Sequence, residues 1–442
     1  MEDFLSPNLQ IENISIDLVK NYRNNPKVHK NKQVQQIANS ISEFKFNNPI
    51  LIDENNEIIA GHGRLLAAKH LGITEIPAIR LLHLSDAQKK AYRIADNKLT
   101  ENGQWDVDLL KLEFTELEKL NLDFSLDITG FDIADIDIIL DCSLTDKEIK
   151  IDEKSNAVPF IAEDEIVSCE GDIWQLGNHR IICENSLDKA TYEKLLEDKK
   201  ADMIFTDPPY NVKVDGHICG NGKFKHKEFA MASGEMNSSE FQTFLTNSFS
   251  LMKEFSKDGS LHYICMDWRH IKEIINAGNV YDEFKNLCIW NKDNGGMGSL
   301  YRSKHELVFI FKNGNAPHIN NIELGSHGRY RTNVWDYPGA NSFGGKENMK
   351  FHPTVKPVEM VRDAILDVTN RNQIVLDAFL GSGTTLIAAE KSGRICYGIE
   401  LEPLYIDTTI RRWQDLTGES AINIQTGKTY RELLEIKGGK NG

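Results

Sequence analysis

No stretch of this 442-residue chain is apolar for long enough to cross a bilayer, and the first ten residues, MEDFLSPNLQ, lack the basic-then-apolar pattern of an export signal. A soluble, cytoplasmic protein with no membrane partner is the expectation. The seven cysteines are odd in number, widely spaced and without a C-x-x-C pair. Reduced thiols follow, and no metal site is expected. Basic residues are also short: 51 Lys and Arg against 66 Asp and Glu give a net charge of −15, the wrong sign for a partner made of phosphates. The deficit is local, however. Residues 101–170 hold 20 acidic and 5 basic side chains, whereas residues 285–350 hold 9 basic and 5 acidic ones. The bulk charge therefore does not exclude DNA.

Length alone allows two or three domains. In residues 1–95, short apolar strands (NPILID, EIIAG, IPAIRLL) accompany helical stretches (VQQIANSISEF, GRLLAAKHLG), and ENNE between ILID and IIAG reads as a hairpin turn, together a small α+β domain. Residues 96–165 read as an acidic helical extension and linker, with helical spacing in WDVDLLKLEFTELEKLN. Over residues 166–420 the strands ADMIFT, SLHYICM, LVFIF, IVLDAF and ICYGIE recur with helical segments between several of them. That alternation predicts an α/β domain on a mostly parallel sheet covered on both faces. Residues 421–442 read as a C-terminal tail.

Within the α/β domain the apolar run MIF meets TDPPYN, residues 206–211. Two prolines, with fixed φ and no N–H, stop the strand there and leave its last carbonyls free to accept hydrogen bonds, with Asp207 and Tyr210 at a rigid strand end. A Pro-Pro pair alone would mark only a stiff turn. Further on, QIVLDAF leads into LGSGTT and the apolar helix TLIAAEKSG, the strand, glycine turn and helix by which an α/β sheet offers backbone N–H groups to a ligand. Gly381 and Gly383 permit close approach. The next strand ends in Glu400, 19 residues after Gly381, close to the spacing of an acid that grips a ribose. The ligand is thereby narrowed to one carrying a nucleoside, and the absence of a Lys after the glycines argues against a phosphate-loop NTPase.

DAFLGSGTT resembles the cofactor motif of S-adenosylmethionine-dependent methyltransferases, and TDPPY resembles the catalytic motif of those that methylate exocyclic amino groups in DNA. HPTVKP, residues 352–357, resembles a motif upstream of the glycine turn in their permuted beta group. The order also matches that group: catalytic motif, target-recognition stretch at about 313–351, cofactor motif. The resemblance spans residues 168–417 and implies a Rossmann-like S-adenosylmethionine-dependent methyltransferase acting on adenine N6 in double-stranded DNA. It implies Asp207, Pro208, Pro209 and Tyr210 as catalytic. The Asp207 carboxylate and Pro208 carbonyl would each take one amino N–H and turn the nitrogen lone pair toward the methyl group, while the Tyr210 ring stacks on a flipped base and Asn211 braces the loop. Asp377, Phe379, Gly381, Ser382, Gly383 and Thr384 would surround the methionine part of the cofactor, Glu400 would hold the ribose hydroxyls, and Lys356 would meet the methionine carboxylate. Arg329 and Arg331 in the recognition stretch, and Lys223 and Lys225 with Lys213 and Lys227 after the catalytic loop, would bind DNA, with Trp335 and Tyr337 against the duplex.

EIIAGHGRLLAAKHLGITEIPAIRL resembles the ParB/sulfiredoxin-like domain, whose members hold nucleotide phosphates on a Gly-and-Arg turn, here Gly61, His62 and Arg64. The cysteine that sulfiredoxin chemistry needs beside that turn is missing, and a single arginine stands where partition proteins carry adjacent ones. Three other functions compete. Cytosine N4 methyltransferases more often carry Ser in place of Asp207; glutamine-amide methyltransferases carry Asn there and place the cofactor motif first. A non-catalytic ParB-like DNA-binding protein would have no reason to keep intact motifs. Whether the chain acts as a homodimer, and whether a cognate restriction nuclease accompanies it, stay open.

Overall fold

In the computed structural model of the chain, which describes residues 9–120, 122, 124–140, 153–212, 234–295, 300–322, 330–339 and 355–438, the polypeptide divides into two units, Met1–Ser143 and Leu144–Gly442. Among the described residues no helix is long and apolar enough to cross a membrane.

The first unit holds a four-stranded sheet of β1 (Ile11–Ser15), β2 (Ile50–Ile52), β3 (Ile58–Ala60) and β4 (Glu75–Arg80) in the order β1-β4-β2-β3. Strands β2 and β3 pair antiparallel across ENNE, as the sequence predicts. Asp53 sets that hairpin: its Oδ1 accepts from the N–H groups of Asn55 and Glu57, both at 2.8 Å, and Asn56 takes φ +62°. Ile14, Ile50, Ile52, Ile58, Leu65 and Ile76 form the core against helix His62–His70. The acidic stretch is not a detached appendage. Its helices Val107–Lys119 and Ile133–Leu140 close a small cluster on Phe114, Leu126 and Ile136, and Lys32 and Gln36 of helix Asn31–Phe44 bond Asp132 at 2.7 and 3.1 Å.

The second unit is built on ten strands: β5 (Ile173–Leu176), β6 (His179–Cys183), β7 (Ala201–Thr206), β8 (Ser256–Met266), β9 (Glu283–Asn291), β10 (His305–Lys312), β11 (Val334–Asp336), β12 (Ile374–Asp377), β13 (Ile395–Glu400) and β14 (Ile422–Asn423). Their order is β11-β9-β10-β8-β7-β12-β13-β6-β5-β14. The centre, β8-β7-β12-β13-β6, is wholly parallel, while β10 against β8 and β9, and β5 against β6 and β14, are antiparallel. Successive side chains of a strand point to opposite faces, so both faces are apolar. Met203 and Phe205 of β7 join one cluster with helices Val358–Val368, Thr384–Ser392 and Pro403–Thr417; Ala201 and Ile204 join another with helices Lys189–Leu196 and Ser238–Glu254. This is the covered α/β sheet that the strand composition implies.

From β7 the chain crosses to β8 on one side, and from β12 to β13 on the other. The crevice at the carboxyl ends of β7 and β12 is thus a topological switch point, where α/β sheets bind ligands. The C-terminal residues are not a tail: β14 adds an edge strand to β5, and Tyr430 is buried beside Trp174 with its hydroxyl 3.1 Å from Asp407 Oδ2. The short polar stretch around them hid an edge strand of only two residues.

Candidate active site

Strands β7 and β12, distant in sequence, deliver Asp207 and Asp377 to neighbouring strand ends. Thr206 Oγ1 donates to Asp377 Oδ1 at 2.8 Å, tying the end of β7 to the start of the glycine turn. Asp377 also accepts from Thr385 Oγ1 at 2.6 Å and from the Phe379 N–H at 3.1 Å, so its carboxylate organises the turn from within. Burial pushes its carboxyl up to about 6 against those hydrogen bonds.

The glycine turn is held from three sides. Gly381 and Gly383 take φ +53° and +83°, and Gly383 caps helix Thr384–Ser392. The buried Arg412 of helix Pro403–Thr417 donates to the Ser382 carbonyl at 2.6 Å and to its Oγ at 3.3 Å; sequence reasoning gave no sign of that clamp. Glu400 at the end of β13 accepts the N–H groups of Gly381 and Glu402, both at 2.8 Å, and burial raises its carboxyl to about 7. A carboxylate has about four lone-pair sites, so each oxygen keeps capacity for a ligand hydroxyl. Among the described residues a Cβ on Gly381 would meet no atom within 4 Å, so the turn keeps room on that side. This donor and acceptor set fits a ribose-bearing cofactor. Phe379 packs near Phe244, ring centroids 5.9 Å apart, and Thr384 is buried at the helix start.

At TDPPY, Tyr210 Oη donates to Asp207 Oδ1 at 2.6 Å and lies 3.2 Å from Glu306 Oε2. Burial, reinforced by those two carboxylates, pushes the Tyr210 phenol well above its ordinary value, so it stays protonated and can donate. Lys356, which the resemblance assigns to the methionine carboxylate, instead donates to Asp207 Oδ2 at 2.5 Å and stands 3.2 Å from Glu306 Oε2. Two desolvated carboxylates attract it more strongly than solvent does, and they raise its ammonium despite burial. Lys292 pairs with Glu306 Oε1. Burial alone would raise the Glu306 carboxyl, but the ammonium groups of Lys356 and Lys292 outweigh it and bring it down to about 2. Glu306 and Lys292 carry no motif signal; only the antiparallel pairing of β10 with β9 brings them here. Pro208 is buried and Pro209 half-buried, and among the described residues none donates to the Pro208 carbonyl. Asn211, at φ +52°, braces the loop by donating to the Met236 carbonyl at 2.7 Å and accepting from the N–H groups of Gly234 and Met236.

The recognition stretch departs from expectation. Arg331 is engaged within its own unit: Nε donates to Asp367 at 3.1 Å, and Nη1 to Asp363 at 3.1 Å and to Tyr337 Oη at 2.8 Å, above the Trp335 ring. Trp335 and Tyr337 are buried in the core, not presented to a duplex. Two carboxylates on one face of helix Val358–Val368 hold the guanidinium, and their charges raise it despite burial. Arg329, Lys213, Lys223, Lys225, Lys227 and the first three residues of HPTVKP lie outside the described residues. In the first unit, Gly61 takes φ +95° before helix His62–His70, and Arg64 Nη1 donates to the carbonyls of Asn48 and Pro49 at 2.8 and 3.0 Å. Among the described residues His62 Nε2 is buried without a hydrogen-bond partner; burial, then the charges of His29 and Arg93, bring the imidazole down to about 4.

Residues 201–411 match the DNA methylase family, residues 3–98 the ParB N-terminal domain and residues 108–169 the ParB-methyltransferase HTH domain. The chain therefore carries a DNA methylase domain behind a ParB N-terminal domain. It is 27% identical over 251 residues to the type II methyltransferase M2.MboI of Moraxella bovis, covering 54% of this chain and 89% of that protein. It is 26% identical over 278 residues to the DNA adenine methyltransferase YhdJ of Escherichia coli, covering 56% and 85%. It is 42% identical over 86 residues to the ParB-like nuclease domain-containing protein YnaK of Escherichia coli, covering 20% and 99%. Among solved structures, that of the M1.HpyAVI-SAM complex covers 53% of this chain and 98% of its own at 20% identity, with a TM-score of 0.37.

Proposed function

We propose that the chain is a site-specific DNA methyltransferase that moves a methyl group from S-adenosylmethionine to the exocyclic N6 of adenine in duplex DNA, acting on a base flipped out of the stack. The observation that carries this reading is the joining of Asp207 and the glycine turn at the carboxyl ends of adjacent parallel strands through Thr206 and Asp377. Bound in that crevice, the cofactor supplies a methyl group on a sulfonium, a strong leaving group. Glu400 takes the ribose hydroxyls, and the turn from Asp377 to Thr384 surrounds the methionine part. Asp207 and the Pro208 carbonyl each accept one N–H of the amino group, which draws its lone pair out of the ring and toward the methyl. The Tyr210 ring stacks on the extruded base, worth roughly 1–3 kcal/mol. Asp207 then accepts the proton that the methylated nitrogen gives up. Adenine is preferred over cytosine because Asp207 stands where cytosine N4 enzymes more often carry Ser, and the relative YhdJ bears an adenine-specific name.

The test is direct. The protein is incubated with S-adenosylmethionine and unmodified DNA, the DNA is digested to nucleosides, and N6-methyladenine is sought by mass. Asp207→Ala should abolish the product while cofactor binding persists. N4-methylcytosine as the product would shift the substrate assignment, and loss of cofactor binding in the variant would make Asp207 chiefly a pocket residue.

A further inference from the structure

Glu306, the second residue of β10, belongs to neither the catalytic motif nor the glycine turn, yet it stands beside both described donors to Asp207. The Asp207 carboxylate has a donor on each oxygen, the Tyr210 hydroxyl on Oδ1 and the Lys356 ammonium on Oδ2. Both donors stand 3.2 Å from one further oxygen, Oε2 of Glu306. We propose that Glu306 is a positioning residue for methyl transfer: it receives the donors that occupy Asp207, so that the Asp207 oxygens become available to the amino group of the incoming base. The proposal rests on the reading of this site as a DNA amino-methyltransferase.

The chemistry of the donors makes the exchange specific. A tyrosine hydroxyl carries one proton, so a full hydrogen bond to Glu306 comes at the expense of the one to Asp207. The ammonium carries three and can slide between two carboxylates that it already faces. Neither change needs the backbone to move. Glu306 is itself fixed by its other oxygen, since Lys292 pairs with Oε1 and leaves Oε2 for the exchange. Asp207 and Glu306 against Lys292 and Lys356 make a set that is neutral in charge, with Lys356 almost fully enclosed at 6% side-chain exposure. Removing the Glu306 charge would therefore leave an excess cation and bind Lys356 harder to Asp207, where it competes with the substrate amino group.

The experiment is single-turnover methylation of unmodified duplex DNA with S-adenosylmethionine, with cofactor affinity measured separately. Glu306→Gln keeps the shape and removes the charge. Its transfer rate should fall roughly 10- to 100-fold with cofactor affinity nearly unchanged, the signature of an interaction used at the chemical step. In a Tyr210→Phe background, which keeps the ring but has no hydroxyl to relocate, the same substitution should cost several-fold less. A purely structural ion pair predicts equal losses in the two backgrounds. Equal losses, or a wild-type rate for Glu306→Gln, would overturn the proposal. Should Glu306→Gln lose cofactor binding, Glu306→Asp takes its place, retaining the charge with a shorter reach; an intermediate rate supports the exchange and a wild-type rate overturns it. Absence of methylated base from the wild-type protein would instead refute the underlying reading of the site.

Discussion

Two glycines of one turn offer a controlled comparison. Gly381 and Gly383 both occupy left-handed backbone, at φ +53° and +83°, where alanine costs about 1–2 kcal/mol. Only at Gly383 would a Cβ also collide. Thr409 Cγ2 and Oγ1, on helix Pro403–Thr417, lie 2.6 Å from its ideal position, whereas the Gly381 position meets nothing within 4 Å among the described residues. Overpacking of this kind adds about 1–3 kcal/mol. Gly383→Ala should therefore lose about 2–5 kcal/mol and Gly381→Ala about 1–2 kcal/mol. In a unit of this size 1 kcal/mol moves the melting temperature by about 2 °C, so calorimetry should read drops of about 4–10 °C and about 2–4 °C. Thr409→Ala removes the two closest atoms, leaving its Cβ at 3.0 Å, and should restore most of the steric part of the loss in the double variant while the backbone part stays. Equal drops for the two alanines, or a double variant no better than Gly383→Ala, would refute the reasoning.

Glu400 supplies a pH test. Its carboxyl is raised to about 7 by burial, and the ionised form is the better acceptor for ribose hydroxyls, so S-adenosylmethionine affinity should strengthen as pH rises through 7 and become flat in Glu400→Gln. Unchanged wild-type affinity between pH 6 and 8 would remove Glu400 from the ligand contact. For stability the sign is opposite. A folded pKa raised from 4.5 means the native state holds the proton more tightly, so this group's contribution declines as pH climbs from 4.5 to about 7, which urea titrations of wild type and Glu400→Gln can separate. Arg331→Ala removes the ion pairs to Asp363 and Asp367 and should destabilise the second unit by about 3 kcal/mol in urea, with the salt dependence of DNA affinity unchanged. A salt slope reduced by about one with stability intact would return Arg331 to the DNA contact.

What the sequence by itself determined are the features encoded within a few consecutive residues. Pro208 and Pro209 end a strand because proline lacks an N–H, Gly381 and Gly383 make a turn because only glycine sits easily at positive φ, and ENNE closes a hairpin because Asp53 bonds its own turn. Those local constraints were enough to assign the α/β class, the motif order and the parallel centre of the sheet. Tertiary structure decided what depends on neighbours distant in the chain. Lys356 and Arg331 are cations whose sequence surroundings give no hint of a partner; each is claimed by a pair of carboxylates that only the fold brings near. Glu306 gains its place from the register of β10 on β9, and the terminal strand β14 from a free edge of β5. A charged side chain settles wherever desolvation is best compensated, and that balance is set by surroundings no local stretch contains.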